Sequence, residues 1–363
     1  MKMKVLYDAQ VFSWQRFGGV SRYCYELIRN LDENISYYLT VFLSNNVYLK
    51  NHDISNPFTF FPNTDFKGSR RIIFIANQAK FIIENKKKYD LIHPTYYHPY
   101  FLKHIGNKPF VFTVHDMTHE KFPQFFPNHD DTTQNKLLLC RKATNIIAIS
   151  QKTKEDLVEI FNINPDKISV VYEGQSLIPS DKQTLSLPSN YILYVGARDK
   201  YKNFIRFINA FSIISGKNKD IELVCTGAAF SKEELELFYH LNISNKVHHI
   251  YTTDFQLVEL YSRAKLFIYP SEYEGFGIPI LEAFACNCPL LLSNTSCFPE
   301  IAQEGGLYFD PLSVDDMVDA MQRALDSDIL RKQLIENGKL QLSKFSWQKM
   351  GKEISALYRT IIQ

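Results

Sequence analysis

The feature that most restricts the fold is an alternation of short apolar runs with amphipathic helical patterns, which the chain carries through twice. Runs rich in β-branched and aromatic residues alternate with helical patterns or loops up to about residue 174. After the polar segment 179–189 the pattern restarts at residue 191 and continues to residue 310. Strands that alternate with helices indicate βαβ units and parallel sheets. The sequence therefore predicts two α/β domains, which fits 363 residues at roughly 150 residues per domain.

The predicted elements divide into two sets of the same style. In the first half, strands are expected at 4–12, 37–43, 90–97, 109–116, 145–150 and 166–174, and helices at 21–31 and 69–88. In the second half, strands are expected at 191–197, 221–227, 246–251, 265–271, 289–294 and 305–310, with a last helix within 345–363. We place the domain boundary after residue 178, giving domains 1–178 and 179–345. Ligands of such sheets bind beyond the carboxyl ends of the strands, so two sheets would face a central cleft.

Composition and charge exclude several classes of protein. Hydrophobic residues make up 45% and charged residues 22% of the chain, which is ordinary for a globular protein and excludes disorder as the main state. The net charge of +2 is too small to indicate nucleic acid as a partner. It is unevenly spread, at +5 for residues 1–180 and −3 for residues 181–363. A basic first half favours an anionic partner or membrane surface, and a chance excess on a solvated face explains it equally well.

The six cysteines and the N-terminus bear on the compartment. The cysteines are scattered, without a C-x-x-C pair or histidines at zinc spacing, which is typical of free thiols in a reducing compartment. Residues 1–12 contain no apolar leader, and no uncharged apolar stretch reaches about 18 residues. We expect a cytoplasmic protein, at most peripheral to the inner face of the plasma membrane.

The strongest motif is SEYEGFGIPILEAFA at 271–285, directly after a predicted strand. Gly275 and Gly277 allow close approach of a ligand, and Pro279 opens a helix whose first N–H groups suit a phosphate or diphosphate. Glu274 and Glu282 would then accept hydrogen bonds from sugar and ribose hydroxyls. An acidic residue early in a helix is also favoured without any ligand. The Gly-x-Gly turn between strand and helix makes the binding interpretation the stronger one.

Three further segments follow predicted strands. In VGARDKYKNF (195–204), Arg198 and Lys202 can neutralise a diphosphate, although such a pair is often merely solvated. In RFGGVSRY (16–23), Gly18 and Gly19 bring backbone N–H groups to the strand end, as a tight turn alone would also do. In TVHDMTHE (113–120), His115 can exchange hydrogen bonds with a sugar hydroxyl. Nearby histidines fit no zinc spacing, so we expect no metal site.

These segments resemble the family 4 retaining glycosyltransferases, within them the mannosyltransferase-B-like branch. The resemblance rests on FGGVSRY, TVHDMTHEKFP, IIAISQKTKEDL, VGARDKYKN and YPSEYEGFGIPILEAFACNCPLLLSNTSCFPEI, in that order over nearly the whole chain. The E-x7-E element from Glu274 to Glu282 is the most specific part. The resemblance implies a GT-B fold, that is, two Rossmann-like parallel-sheet domains, with helix 346–363 packing back on the first.

The resemblance also implies roles for residues. Glu282 would hold the nucleotide ribose, Glu274 the donor-sugar hydroxyls, and His115 would contact the transferred sugar. The remaining donor-binding residues would surround the diphosphate: Arg198, Lys202, the amides of Gly275, Phe276 and Gly277, and, from the first domain, Gly18 and Gly19.

The chain departs from the family pattern in two places. Glu173, in VYEGQS, stands where many relatives have His or Asn before the glycine, and the sequence assigns it no role. The segment YTTD (251–254), where relatives contact the base, is uninformative about the nucleotide.

The implied activity is transfer of a hexose from a nucleotide-diphosphate sugar, with retention and without a metal or cofactor. The first choice of donor is GDP-mannose, and the acceptor would be a glycan or polyprenyl-linked oligosaccharide in O-antigen or capsule synthesis. A UDP- or dTDP-sugar donor is the alternative. A sugar-nucleotide epimerase of the same fold, or a non-catalytic binding protein, are alternatives of another class. An epimerase would convert the donor to an isomer without an acceptor. A non-catalytic protein has no reason to keep all five of the residues expected to bind the donor: His115, Arg198, Lys202, Glu274 and Glu282.

Overall fold

The computed structural model describes residues 2–51, 53–60, 66, 68–180, 183–198 and 200–363. The chain divides into two compact units, one formed by Met1–Gly174 with Ser346–Gln363 and the other by Gln175–Phe345. The boundary predicted after residue 178 differs from this division by a few residues.

Short strands and longer helices alternate along both units. The strands are β1 (Met3–Tyr7), β2 (Ile35–Leu39), β3 (Leu91–His93), β4 (Val111–Val114), β5 (Asn145–Ala148), β6 (Ile168–Val170), β7 (Tyr191–Tyr194), β8 (Glu222–Cys225), β9 (Val247–His249), β10 (Leu266–Tyr269), β11 (Leu290–Ser293) and β12 (Gly306–Phe309). The helices are α1 (Gln10–Trp14), α2 (Gly19–Arg29), α3 (Ser69–Glu84), α4 (Thr118–Lys121), α5 (Thr132–Lys142), α6 (Gln151–Phe161), α7 (Phe204–Lys217), α8 (Lys232–His240), α9 (Asp254–Arg263), α10 (Ile278–Ala285), α11 (Phe298–Ala302), α12 (Val314–Asp326), α13 (Asp328–Leu342) and α14 (Trp347–Ile362). Short 3-10 turns cover Val47–Asn51, Pro99–Lys103, Pro123–Phe125, Pro165–Lys167, Lys200–Lys202 and Gln303–Gly305.

All the strand pairs described are parallel, as the alternating pattern predicts. In the first unit the order is β2-β1-β3 and β4-β5-β6, and a bridge between Ile92 and Phe110 joins β3 to β4. In the second unit one sheet has the order β12-β11-β10-β7-β8-β9. Strands such as β7, β10 and β11 are buried at every residue, because helices cover both faces of a parallel sheet. The predicted α/β class with parallel sheets is confirmed.

The first strand is shorter than the sequence indicated. Residues 4–12 were expected to be extended, but β1 ends at Tyr7 and α1 begins at Gln10. The buried carboxylate of Asp8 accepts hydrogen bonds from the backbone N–H groups of Gln10 and Thr95, at 3.4 and 2.8 Å. Asp8 thus caps the turn that follows it, which gives the backbone hydrogen bonds other than those of the sheet. The strand-like sequence around Asp8 does not indicate this turn.

The terminal helix α14 belongs to the first unit. The hydroxyl of Tyr358 lies 2.8 Å from the hydroxyl of Tyr7 on β1 and 2.5 Å from Nδ1 of His93 on β3. A Cβ built on Gly174 would lie 2.4 Å from the backbone N of Trp347, so only glycine fits where the chain leaves the first unit. Helix α14 thus completes the core beneath β1 and β3.

Candidate functional site

Lys202 and Glu274 form the centre of the candidate site in the second unit. The Nζ atom of Lys202 donates to Oε1 of Glu274 at 2.6 Å, and Ser271 Oγ donates to the same oxygen at 2.8 Å. Lys202 ends the turn after β7, and Glu274 lies on the loop after β10. Because β7 and β10 are adjacent parallel strands, their carboxyl ends meet at one edge of the sheet. The two sequence motifs are therefore brought together.

Backbone contacts hold these two loops against each other. The N–H of Glu272 donates to the carbonyl of Tyr201 at 2.8 Å. The buried side-chain amide of Asn203 donates to the carbonyls of Pro270 and Pro311, at 3.1 and 2.7 Å. These bonds connect the loops that follow β7, β10 and β12. The backbone at Lys202 is therefore held in place by the neighbouring loops.

The glycine-rich turn folds as the sequence predicts. Gly277 has φ +90°, a left-handed conformation at the N-cap of α10, and a Cβ there would lie 3.0 Å from Ile280 Cδ1. Pro279 lies in the first turn of α10, where its missing N–H costs nothing. The ring of Phe276 is buried, with its centroid 5.8 Å from that of Phe345, so only its backbone is suited to a donor.

Ser296 secures the backbone around Glu274. Its hydroxyl donates to the carbonyl of Glu274 at 2.6 Å and accepts from the N–H of Glu274 at 3.1 Å. Burial, followed by the charge of Glu274, raises the pKa of Tyr269 well above its ordinary value, so its hydroxyl stays protonated beside the carboxylate.

Glu282 occupies the inner face of α10 and is buried. The hydroxyl of Tyr261, on α9, donates to Oε2 of Glu282 at 3.2 Å. Burial, and then the charge of Glu282, raises the pKa of Tyr261, which keeps this donor protonated. A tyrosine that orients the carboxylate is a contact that sequence spacing could not reveal, because Tyr261 comes from another helix.

Arg198 has partners that the sequence did not indicate. Its Nε donates to Oε1 of Glu234 at 2.6 Å, and its Nη2 donates to the carbonyls of Ala228 and Ala229 at 2.7 and 2.9 Å. Its Nη1 donates to the carbonyl of Thr226 at 3.2 Å. The guanidinium thus secures the loop between β8 and α8, whereas Lys202 pairs with Glu274.

In the first unit, Gly18 and Gly19 begin α2. Gly18 is the N-cap, Gly19 is the first helical residue, and a Cβ on Gly19 would meet nothing within 4 Å. The side-chain oxygen of Gln15 accepts from the N–H of Ser21 at 3.0 Å. Gln15 thus satisfies the N–H of Ser21, the third residue of the helix. The N–H groups of Gly19 and Val20, which precede it, are the ones suited to bind an anion.

His115 follows β4 and is buried beside Glu173. Its Nδ1 lies 3.7 Å from Oε1 of Glu173, and its ring makes an edge contact with Tyr23 at 4.8 Å between centroids. Its backbone N–H donates to the hydroxyl of Tyr97 at 2.9 Å. At 3.7 Å the imidazole and the carboxyl group are neighbours that are too far apart for a hydrogen bond. Glu173, to which the sequence assigned no role, therefore lies beside the ring of His115.

Asp116, next to His115, remains ionised. Burial acts to raise its pKa, but the ammonium of Lys136 and hydrogen bonds from Thr118 outweigh burial and hold the pKa below its ordinary value. The N–H of Thr118 donates to Oδ1 of Asp116 at 2.9 Å. Asp116 thus fixes the start of α4 and the turn that carries His115.

A buried polar chain connects the environment of His115 with α14. Tyr23 and Thr113 share a hydrogen bond of 2.8 Å between their hydroxyls, and Thr113 Oγ1 lies 3.1 Å from Nε2 of His93. His93 in turn contacts Tyr358 on α14. Sequence patterns do not reveal this chain of hydrogen bonds, because its members come from four separate elements.

Two family models cover most of the chain. The model described as Glycosyltransferase Family 4 matches residues 17–176, and the model described as Glycosyl transferases group 1 matches residues 179–341.

The chain belongs to the family 4 glycosyltransferases.

Curated relatives of this glycosyltransferase include two Escherichia coli proteins. The serotype-specific mannosyltransferase WbdA is 30% identical over 238 residues, which cover 61% of this chain and 29% of WbdA. The chain thus spans less than a third of the length of WbdA. The O-antigen chain mannosyltransferase B is 26% identical over 294 residues, which cover 77% of this chain and 76% of that protein.

A solved structure supports the fold of this glycosyltransferase. The Anabaena protein Alr3699/HepE, in complex with UDP and glucose, superposes with a TM-score of 0.77 at 17% identity, over 99% of this chain and 100% of that one. At this identity the similarity concerns the fold alone, and it confirms the predicted GT-B fold.

The structure thus assembles the predicted residues in separate groups. In the second unit, Lys202 and Glu274 are in direct contact, and Glu282 lies on the helix that follows Gly277. Arg198 is bound to Glu234 instead, and its predicted contact with a diphosphate stays a prediction. Among the residues that the structure describes, no helix combines the length and the apolar character needed to cross a bilayer.

Proposed function

We propose that this glycosyltransferase transfers mannose from GDP-mannose, with retention, to a glycan or polyprenyl-linked oligosaccharide of a bacterial surface polysaccharide. Two observations from relatives support the sugar and the setting: both Escherichia coli proteins described above are named mannosyltransferases, and one is named for the O-antigen chain. The acceptor would reach the enzyme at an anionic membrane.

The observation that carries the proposal is the contact between Lys202 and Glu274 beside the N-terminus of α10. A carboxylate next to a diphosphate would repel it unless a cation lies between them. The ammonium of Lys202 is that cation, so Glu274 can accept hydrogen bonds from sugar hydroxyls while Lys202 binds a phosphate oxygen. The first amides of α10 add a second source of positive potential.

In the proposed reaction, the acceptor hydroxyl attacks the anomeric carbon on the face from which the nucleoside diphosphate departs. The new glycosidic bond forms as the bond to the phosphate oxygen breaks, and the departing diphosphate takes the acceptor proton. Lys202 and the amides of α10 stabilise the negative charge that develops on the leaving group. The reaction as proposed uses neither a metal ion nor a cofactor.

We propose that Glu173 positions His115. A carboxylate beside Nδ1 favours the tautomer with its proton on that nitrogen, which leaves Nε2 as the hydrogen-bond acceptor. His115 would then accept a hydrogen bond from a hydroxyl of the transferred sugar. Glu173 acts through His115 and touches no substrate in this proposal.

The donor nucleotide is tested by ligand-induced stabilisation. GDP, UDP and dTDP are compared in thermal melts, since a ligand at about 100 times its Kd stabilises by roughly 2.7 kcal/mol. We expect the largest shift with GDP and a loss of this shift in Lys202→Met. A larger shift with UDP would favour the second candidate, a UDP-sugar donor, for which the UDP and glucose bound to the Anabaena protein are the supporting observation.

Product analysis separates transfer from its alternatives. With GDP-mannose and a lipid-linked oligosaccharide, we expect an α-linked mannose and free GDP, with undiminished rates in the presence of EDTA. Conversion of the donor to an isomer without acceptor would instead identify an epimerase, and nucleotide binding without turnover would identify a non-catalytic protein.

A further inference from the structure

Helix α3 has apolar residues on both of its faces. Its inner face packs into the first unit through Ile73, Phe74 and Phe81, all buried. Its outer face exposes four isoleucines, with exposed fractions of 46% for Ile72, 54% for Ile75, 42% for Ile82 and 70% for Ile83. A surface helix normally carries polar residues on its outer face, so a continuous apolar strip there indicates a binding surface.

The outer face of α3 is defined here as Arg71, Ile72, Ile75, Ala79, Ile82, Ile83 and Lys86, all exposed. At 3.6 residues per turn these seven residues fall within an arc of about 120°. Along the chain the four isoleucines lie between Arg71, in the first turn of α3, and Lys86, two residues beyond its last residue Glu84. No acidic residue interrupts the arc.

The surrounding segment is strongly basic. Residues 66–88 contain seven Lys and Arg and a single acid, Glu84, which gives a net charge of +6. This exceeds the +5 of residues 1–180 as a whole, so the basic character of the first half is concentrated at α3. Apolar side chains flanked by Lys and Arg are the composition of helices that lie in the interface of an anionic bilayer.

Charge also decides between a membrane and a second copy of the chain. In a two-fold dimer the same surface would meet itself, so two segments of +6 would be brought together. Like charges at an interface oppose association. An anionic lipid surface has both the apolar phase that the isoleucines need and the opposite charge.

We propose that the outer face of α3 is a membrane-docking surface for an anionic lipid leaflet, with Ile72, Ile75, Ile82 and Ile83 among the acyl chains and Arg71 and Lys86 at the headgroups. Binding to vesicles can be tested independently of the proposed function. The biological purpose of docking rests on the proposed function, because docking would bring the first unit to a lipid-linked acceptor.

The position of α3 fits this purpose. Helix α3 packs against α1, where the rings of Phe74 and Trp14 lie 4.9 Å apart. The chain runs from α1 directly into the turn at Gly18 and Gly19. Docking through α3 therefore holds this turn near the headgroups, where the sugar of a lipid-linked acceptor emerges.

The test is co-sedimentation of the full chain with vesicles of phosphatidylcholine alone or mixed with phosphatidylglycerol. We expect binding to the mixed vesicles, weakened by salt. Ile75→Gln with Ile82→Gln should lower the partition coefficient by about tenfold or more, because two buried side chains are lost to the bilayer. Arg71→Gln with Lys86→Gln should lower binding to the mixed vesicles and leave the weak binding to phosphatidylcholine unchanged.

A matched control lies on α7 in the second unit. Ile205 and Ile213 have exposed fractions of 53% and 41%, close to those of Ile75 and Ile82. Ile205→Gln with Ile213→Gln should bind vesicles like the unmodified chain. Equal binding by the α3 and α7 variants, or equal binding to both kinds of vesicle, would overturn the proposal.

Two further measurements separate the remaining outcomes. Sedimentation velocity without lipid should show a monomer; a dimer that Ile75→Gln with Ile82→Gln dissolves would assign the face to self-association and overturn the proposal. Turnover with a short-chain, water-soluble acceptor should be the same in the α3 variant and the unmodified chain. Vesicle binding with no transfer to any acceptor would support docking while contradicting the proposed function.

Discussion

The ammonium of Lys202 lies 2.6 Å from a carboxylate oxygen of Glu274, and both side chains are largely buried. Each charge therefore has the other as its neutralising partner in the protein. Removing one leaves the other uncompensated, so stability and activity must be separated when this pair is changed.

A double-mutant cycle separates them. Lys202→Met and Glu274→Gln should each lower the free energy of unfolding, by about 1–3 kcal/mol, because one buried charge remains. The double variant should recover most of that stability but not the activity. We expect kcat to stay about 10²- to 10³-fold below the unmodified enzyme, since the leaving-group charge has lost its cation. Denaturant melts and initial rates on the same preparations check both parts.

The control for this cycle is Lys200→Met, which removes an exposed lysine from the same turn. Normal stability and turnover are expected there. Full activity in the double variant would exclude Lys202 and Glu274 from the reaction.

Arg198 tests whether a basic residue of the motif binds the donor or secures a loop. Its contacts with Glu234, Ala228 and Ala229 predict that Arg198→Ala lowers the free energy of unfolding by about 1.5–3 kcal/mol, the range for hydrogen bonds that involve charged groups. Glu234→Gln should lower stability in the same direction. Thermal melts with and without GDP distinguish the two roles: a lost GDP shift at normal intrinsic stability would favour a direct contact with the diphosphate.

Glu173→Gln tests the positioning of His115. The substitution keeps the shape and removes the charge 3.7 Å from Nδ1. We expect kcat to fall by about tenfold, which corresponds to about 1.4 kcal/mol, the size of one net hydrogen bond, with little change in the KM for the donor. The ¹⁵N shifts of the His115 ring should report a mixture of tautomers in place of one.

Glu159→Gln, on an exposed position of α6 in the same unit, is the matched control. Unchanged ring shifts in Glu173→Gln, together with an unchanged kcat, would show that the carboxylate does not act through His115.

His93 predicts a dependence of stability on pH. Burial, followed by the charge of His115, lowers its pKa from 6.5 to about 3. Between these values the unfolded chain binds a proton that the native protein does not. Its contribution is therefore complete above about pH 6.5 and is lost as the pH falls towards 3, with a slope of at most about 1.4 kcal/mol per pH unit.

Urea melts between pH 4.5 and 7.5 measure this slope. His93→Asn should be less stable at neutral pH, because contacts with Tyr358 and Thr113 are lost, but its stability should fall less steeply in acid. His104→Gln, at an exposed position of the same unit, should keep the original slope. A variant curve parallel to the original would exclude His93 as the group responsible.

The sequence predicts the elements well where burial dictates the pattern and less well where a single side chain intervenes. Strands β7, β10 and β11 are buried on both faces, so their apolar runs are unambiguous. The run 4–12 also predicts a strand, yet the strand ends at Tyr7 and Asp8 caps the following turn. The same carboxylate oxygen also accepts a hydrogen bond from the N–H of Thr95, which is distant in sequence and could not be predicted as its partner.

The candidate site shows the same limit. Lys202 and Glu274 were both expected because each follows a strand, and adjacent strands bring them together. The partners of Arg198 could not be predicted, since Glu234 and the carbonyls that it binds belong to a loop with no motif of its own. Glu173 was visible as an unusual residue, but its relation to His115 depends on how β4 and the end of the first unit meet in three dimensions.

The close approach of Gly174 to Trp347 brings together the points where the chain leaves and re-enters the first unit. The chain leaves the first unit and returns to it at two neighbouring points, so the second unit is topologically an insertion between Gly174 and Ser346. A linker of about three residues could join Gly174 to Ser346 directly. A fragment that simply stops at Gly174 would lack Tyr358, the hydrogen-bond partner of Tyr7 and His93. The excised first unit should therefore fold only when its C-terminal helix is spliced back on.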